Sequence, residues 1–227
     1  MIHAEVTGRG PAVLLTHGFT GSSRDWAKLV PRLAERYTVI RWDLRGHGKS
    51  DSPDDPAQYS LELALGDMAE LLDRAEAGSA ALVGHSLGGY LSLAFHLAHP
   101  ERVRALALVD TGPGYRKDDA RAGWNRMVES RARELEKQGP RTVGLVHAAR
   151  GILAQRDGRV IESLAAIRVP TLVVVGELDQ PFVAGSRYMA EKIPGAKLEV
   201  VTGAGHSPQD THPEPVLQPL LELLARP

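Results

Sequence analysis

The sequence predicts an α/β fold, a doubly wound, mostly parallel sheet of about seven or eight strands covered by helices. Two observations carry that expectation. Short apolar runs ending in Gly, Asp or Ser alternate along the chain with longer amphipathic stretches. The runs themselves, such as Val13-Leu14-Leu15 and Leu172-Val173-Val174-Val175, do not alternate with polar residues, so both faces of each strand should be buried.

In chain order the strand candidates are Ile2–Val6, Ala12–Thr16, Thr38–Trp42, Ala80–Gly84, Ala105–Val109, Thr171–Val175 and Leu198–Val201. Ser22 or Ser23 is placed to cap a helix carrying Trp26, Leu29, Val30 and Leu33. Ser60 is placed to cap another, with Leu61, Leu65, Met68, Leu71 and Leu72 at helical spacing. A third helix follows Gly84, with Leu87, Leu91, Ala94, Phe95 and Ala98 on its apolar positions. The rhythm then breaks between Thr111 and Pro170. Tyr115–Gln138 is rich in charge, yet Ala120, Trp124, Met127, Val128, Ala132 and Leu135 form one stripe, and Glu129 and Arg133 stand at a helix-supporting spacing. We read 1–227 as a single domain with a small helical lid inserted at about 112–155; an ordinary crossover of longer helices is the alternative. Pro219 should kink or delay the last helix unless that helix starts near it.

Composition narrows the function. With 27 basic and 28 acidic residues the formal charge is −1, which offers no broad attraction for nucleic acid or an anionic membrane. No apolar run approaches the roughly 20 residues needed to span a bilayer. Met1-Ile2-His3-Ala4-Glu5 has neither the basic nor the apolar region of an export signal, which favours a cytoplasmic location. The absence of cysteine excludes disulfides, thiolate-bound metal and a cysteine nucleophile. The partner implied is a small molecule, with no cofactor; oligomeric state is open.

The chemistry centres on Gly84-His85-Ser86-Leu87-Gly88-Gly89, which joins an apolar strand to an amphipathic helix. A serine on such a strained strand–turn–helix junction has its Oγ held clear of the backbone, and the helix N-terminus supplies N–H donors. A glycine-rich turn whose serine only caps the helix is the plain alternative. A neutral hydroxyl needs a base. Of nine histidines, His206 in Gly203-Ala204-Gly205-His206 follows the last strand candidate and falls on the strand carboxyl edge. The supporting acid should follow another strand on that edge; Asp179 in Gly176-Glu177-Leu178-Asp179 fits, with Glu177 and Asp110 as rivals. An acyl-transfer enzyme also needs an oxyanion hole, for which the backbone N–H groups of Leu87 and Phe19 are the candidates, Gly18 allowing close approach.

Two competing motifs fail. Gly48-Lys49-Ser50 looks like the end of a phosphate-binding loop, but the required earlier glycine is Asp43 and no helix follows directly. His206, Asp210 and His212 match no familiar zinc spacing, so no metal is expected.

Together these segments resemble the α/β-hydrolase superfamily, in its serine esterase and lipase-like branch, over nearly the whole chain. His17-Gly18-Phe19 resembles its oxyanion loop, and Asp43-Leu44-Arg45-Gly46-His47-Gly48-Lys49-Ser50 a turn that is mainly structural in relatives. Gly84–Gly89 resembles the nucleophile elbow, Pro170–Asp179 the acid strand and Gly203–His206 the histidine loop. The resemblance implies hydrolysis of a carboxylic ester through an acyl-Ser86 intermediate. Serine at the elbow argues against the branches that attack with aspartate. A menaquinone-pathway type of lyase, whose relatives often place an arginine near the elbow where this chain has Tyr90, and carbon–carbon bond hydrolases remain open. So does a non-catalytic ligand sensor. Only one strand candidate, Ile2–Val6, precedes the strand that leads into the oxyanion loop, where relatives usually begin with a hairpin, and Thr111–Pro170 is short for the family's lid. We therefore expect an abbreviated lid and an open acyl pocket built partly from Phe19, Trp124, Met127 and Phe182.

Overall fold

The computed structural model describes residues 1–226. Seven strands form one sheet: β1 (Ala4–Thr7), β2 (Ala12–Thr16), β3 (Thr38–Trp42), β4 (Ala80–His85), β5 (Val103–Val109), β6 (Thr171–Gly176) and β7 (Lys197–Val201). Their order is β1-β3-β2-β4-β5-β6-β7. β1 runs antiparallel to β3 and every other pairing is parallel. The chain starts at one edge of the sheet with β1, passes to β2, returns to β3 between them and then winds from β4 to β7 at the other edge, with β2, β4, β5 and β6 ending on the same side of the sheet.

The unalternating strands are explained by two cores. Leu14, Leu82, Leu106 and Val173 face one side, where they pack with Met68 and Leu72 of α2 (residues 61–74) and Leu91 and Phe95 of α3 (residues 87–98). Their neighbours Val13, Leu15, Val83, Ala107 and Val174 face the other side, against Trp26, Leu29 and Leu33 and the terminal helix residues Val216, Leu217 and Leu220. α3 follows the elbow directly and is buried over most of its length, as expected of a helix crossing the centre of the sheet.

The expected helix after Ser22 is a tight 3-10 turn at Ser23–Trp26 followed by a short α1 at Val30–Leu33. Ser22 and Asp25 form a capping box that closes the turn. Between the two pieces the backbone bonds are of 3-10 type, Leu29 N–H donating to the Trp26 carbonyl at 3.0 Å, and Pro31 stands in the first turn of α1, where no N–H is needed. α9 (Pro213–Leu224), in contrast, runs through Pro219. The carbonyl freed by Pro219 is that of Pro215, on the exposed side of the helix, where water can satisfy it.

Between β5 and β6 lie α4 (Asp118–Glu136), α5 (Val143–Ala148), a π-helical turn (Ala149–Leu153) and α6 (Arg159–Ser163). Val128, Ala132, Leu135, Val146 and Ala149 form a small separate core there. Met127 and Ala120 of the expected stripe are exposed instead. Arg150 ties the π turn to α4 through Glu129 at 2.9 Å and Glu136 at 2.6 Å, and Arg133 adds a 3.0 Å contact to Glu129. Those two guanidinium groups push the exposed Glu129 carboxyl down to about 2. After β6 come α7 (Gln180–Lys192) and, beyond β7, the single-turn α8 (Pro208–Thr211).

Leu82→Ala empties a fully buried position on the central strand β4. It should lower unfolding free energy by about 2–5 kcal/mol. Leu63→Ala, on the exposed side of α2, should stay within about 0.5 kcal/mol. Urea denaturation midpoints with an unchanged m-value would show the contrast.

Candidate active site

β4 ends at His85, and Ser86 takes φ 51°, ψ −116° before α3 begins. A non-glycine residue in that region is strained and persists only when its surroundings over-determine it. They do. The Ser86 N–H donates to the Val109 carbonyl at 2.9 Å, and the Thr111 hydroxyl donates to the Ser86 carbonyl at 2.6 Å. A Cβ on Gly88 would lie 2.1 Å from the Thr16 carbonyl oxygen, and one on Gly84 2.2 Å from the Gly88 carbonyl oxygen. Only bare backbone lets β2, β4 and α3 meet this closely.

Two loops bring the other groups to this point. After β6, Leu178 N–H donates to the Ala204 carbonyl at 2.9 Å, and Gly203 N–H donates to the Glu177 carboxylate at 2.9 Å. Glu177 thus holds the histidine loop, and its neighbour Asp179 faces the ring. His206 Nδ1 lies 2.8 Å from Asp179 Oδ2, and His206 Nε2 lies 3.1 Å from Ser86 Oγ. A carboxylate only accepts, so Nδ1 carries the proton, leaving the Nε2 lone pair of the neutral ring facing the Ser86 hydroxyl. Phe182 stacks on the His206 ring at 4.9 Å. On the opposite side His85 Nε2 donates to the His206 carbonyl at 2.5 Å. The ring is therefore fixed in orientation while 43% of its side chain stays exposed.

Asp110, the rival acid, is fully buried at the end of β5 with φ 41°. Its Oδ1 accepts the Gly176 N–H at 2.9 Å. Burial, reinforced by the neighbouring Asp179, pushes its carboxyl up to about 8. Asp110, Asp179 and His206 offer ligand-capable atoms within 4.8 Å of one another. A divalent cation there would have to displace the Asp179–His206 bond and ionise Asp110. Asp210 pairs instead with Lys28 at 3.0 Å, away from this cluster.

The His17–Phe19 loop lies against the elbow: a Cβ on Gly18 would come within 3.0 Å of Ser86 Cβ. Among the described residues, neither the Phe19 nor the Leu87 N–H donates to a protein acceptor. His17 anchors the loop, its Nδ1 donating to the Gly18 carbonyl at 2.7 Å and its Nε2 accepting the Leu44 N–H at 2.9 Å. The Asp43–Ser50 turn is an internal scaffold. Asp43 accepts the N–H groups of Ser23 at 2.6 Å and Lys49 at 2.8 Å. Burial opposes ionisation of Asp43, but those donors win and its pKa is lowered.

A cavity of about 30 Å³ opens beside Ser86. Ser86, Leu87 and Tyr90 line it from the elbow, Thr111 from the end of β5, Trp124 from α4, Leu153 and Gln155 from the π turn and its exit, and Phe182 from α7. The pocket expected from sequence needs correction. Met127 is 47% exposed and outside this lining, and Phe19 turns its ring edge-on to His47 at 5.6 Å. The cavity is narrow, while the His206 face is open. Tyr90 could have been found from its position one helical turn beyond Ser86; Leu153 and Gln155 carry no motif. A larger groove of about 710 Å³ between α2, α3 and α6 is lined by none of Ser86, Asp179 or His206.

Residues 11–153 match the profile described as the alpha/beta hydrolase fold. The chain belongs to that family. Within the alpha/beta hydrolase fold family, it is 28% identical over 240 residues to a putative 2-succinyl-6-hydroxy-2,4-cyclohexadiene-1-carboxylate synthase of Bacillus subtilis, covering 89% of this chain and 87% of that protein. It is 28% identical over 253 residues to a pimeloyl-[acyl-carrier protein] methyl ester esterase of Aeromonas hydrophila, covering 96% of each. Among solved structures, MenH from S. aureus superposes with a TM-score of 0.88 at 22% identity over 99% of this chain and 98% of that one, a likeness of fold.

Three buried histidines beside the alpha/beta hydrolase site should make stability pH-dependent. Burial lowers His17 to about 3, and His47 and His85 to about 4. Below an unfolded pKa of about 6.5 the unfolded chain binds protons that the folded chain refuses. Stability from this source is complete above that value and is lost as pH falls from about 6.5 toward 4. Calorimetry should therefore show Tm falling across that window; a flat Tm would contradict it.

Proposed function

We propose that the protein is a serine hydrolase that cleaves a carboxylic ester through an acyl-Ser86 intermediate. The observation that carries this reading is the unbroken line from Asp179 through His206 to Ser86, with contacts of 2.8 and 3.1 Å. In this mechanism His206 Nε2 takes the Ser86 proton as Oγ attacks the ester carbonyl. Asp179 stabilises the resulting imidazolium, and the free N–H groups of Phe19 and Leu87 receive the oxyanion. His206 then gives the proton to the leaving alcohol and later takes one from the water that releases the acyl group. The helices at about 112–155 act as a small lid on a single domain, since they supply Trp124, Leu153 and Gln155 to the cavity wall. The A. hydrophila relative named above, a methyl ester esterase, supports this chemistry.

A lyase reading is favoured by the B. subtilis relative, whose product name includes succinyl and carboxylate groups. The cavity beside Ser86 has no basic side chain in its lining to neutralise such charges. A carboxylate moved there without a partner would carry a heavy desolvation cost. That favours the ester.

Wild-type protein should be labelled by a fluorophosphonate probe and should hydrolyse short p-nitrophenyl esters. Ser86→Ala should abolish labelling and lower kcat by about 10⁴-fold or more. Wild-type-like turnover in that variant would remove Ser86 as nucleophile. A β-diketone panel separates carbon–carbon hydrolysis from ester cleavage. Asp179→Asn should cost about 10⁴-fold in kcat by reversing the His206 tautomer. Asp110→Asn, which keeps the size and uncharged state of the buried acid, should leave kcat at its original order of magnitude. The reverse result would make Asp110 the supporting acid.

A further inference from the structure

Asp110 is a second acid beside the Asp179–His206 pair, and the mechanism above does not use it. It is fully buried at the end of β5 and held at φ 41°, a conformation that Asp and Asn adopt more readily than most side chains. Its Oδ1 is fixed by the Gly176 N–H at 2.9 Å. Its Oδ2 is closed to solvent, and among the described residues no protein group donates to it. An acceptor buried without a donor is costly, and a buried unpaired charge costs more.

Asp179 resolves the imbalance. The Asp110 carboxyl group is in hydrogen-bond contact with it. Two facing carboxylates repel and have no hydrogen to place between them. With Oδ1 occupied by Gly176, Oδ2 is the atom left to carry a proton. That proton turns the orphan acceptor into a donor and removes one of the two charges. Asp179 is the member that stays ionised, because its Oδ2 receives the His206 Nδ1–H at 2.8 Å. Burial and the adjacent Asp179 push the Asp110 carboxyl up to about 8, so it holds its proton at neutral pH. The other ionisable groups around the pair bring no competing charge. His206 stands across Asp179 as a neutral ring, Glu177 turns to the Gly203 N–H, and burial keeps His85 neutral where it reaches in from β4.

Resting on the serine-hydrolase reading, we propose that Asp110 is a positioning residue: as a protonated acid it donates from Oδ2 to the Asp179 carboxylate and holds that carboxylate on His206 Nδ1. Asp179 is thereby fixed between two donors, one of which adds no charge beside the imidazolium. Losing the Oδ2 proton at alkaline pH removes the donor and sets two like charges against each other, which loosens Asp179 from the ring.

Asp110→Asn keeps both bonds, Oδ1 accepting from Gly176 and Nδ2 donating to Asp179, but has no proton to lose. Wild-type kcat should therefore fall above about 8, whereas Asp110→Asn should hold its plateau through the same range. Asp110→Gly accepts φ 41° without strain and removes the donor. Its kcat should fall about 10- to 100-fold with KM nearly unchanged. No alkaline fall in the wild type, an equal fall in Asp110→Asn, or wild-type kcat in a folded Asp110→Gly protein would overturn the proposal. Carbon-13 NMR of protein labelled at the aspartate side-chain carboxyls needs no turnover. The resonance missing from Asp110→Asn should lie at the position of a protonated acid at neutral pH. Its titration midpoint should drop in Asp179→Asn, where the charge it faces is gone. An ionised Asp110 at neutral pH, or a midpoint indifferent to Asp179, would also overturn the pairing. A protonated, Asp179-dependent Asp110 in a protein that cleaves no ester would sustain the pairing and remove only the hydrolase reading.

Discussion

The structure depends on the close crossing of β2, β4 and α3 at Ser86. Three backbones meet where added methyl groups would stand 2.1 and 2.2 Å from carbonyl oxygens, so glycine at 84 and 88 is a steric requirement. The turn that results cannot relax Ser86 out of φ 51° without losing the bonds to Val109 and Thr111. Strain at one residue is offset by the burial of the helix behind it, since α3 packs across the sheet centre.

Around that fixed point the remaining groups are held by loops that hold one another. Glu177 ties the loop after β6 to the His206 loop, His85 ties the His206 loop to the Ser86 turn, and His17 ties its own loop to the Asp43 turn. None of these links needs a charge on a histidine. Burial keeps His17, His47 and His85 neutral, which prevents unpaired positive charge from competing with the Asp179–His206 interaction. One side of the His206 ring meets solvent while Phe182 and Asp179 hold the others.

Much of this was legible in the sequence. Strands buried on both faces announce themselves as apolar runs, and β2 and β3 have the bounds that their composition predicts. Ser86, Asp179 and His206 stand out because a tight turn, an acid and a base each follow a strand and must share one edge of a parallel sheet. Local pattern failed where local geometry met a competing constraint. The segment after Ser22 splits into a 3-10 turn and a short α1 with Pro31 in its first turn, while α9 runs through Pro219.

The sequence by itself determined the sheet, the elbow and the groups that meet there, because backbone sterics and burial period are local properties. Tertiary structure alone decided which acid faces His206: Asp179 and Asp110 both end strands on that edge, yet only the former meets the ring at 2.8 Å, while the latter turns to the Gly176 N–H. It also decided the cavity wall. Met127 and Trp124 share a helix three residues apart, and only packing against the π turn places Trp124 inside and leaves Met127 in solvent. Gln155 has no pattern around it at all. Its burial depends on segments distant in sequence coming together around one side chain.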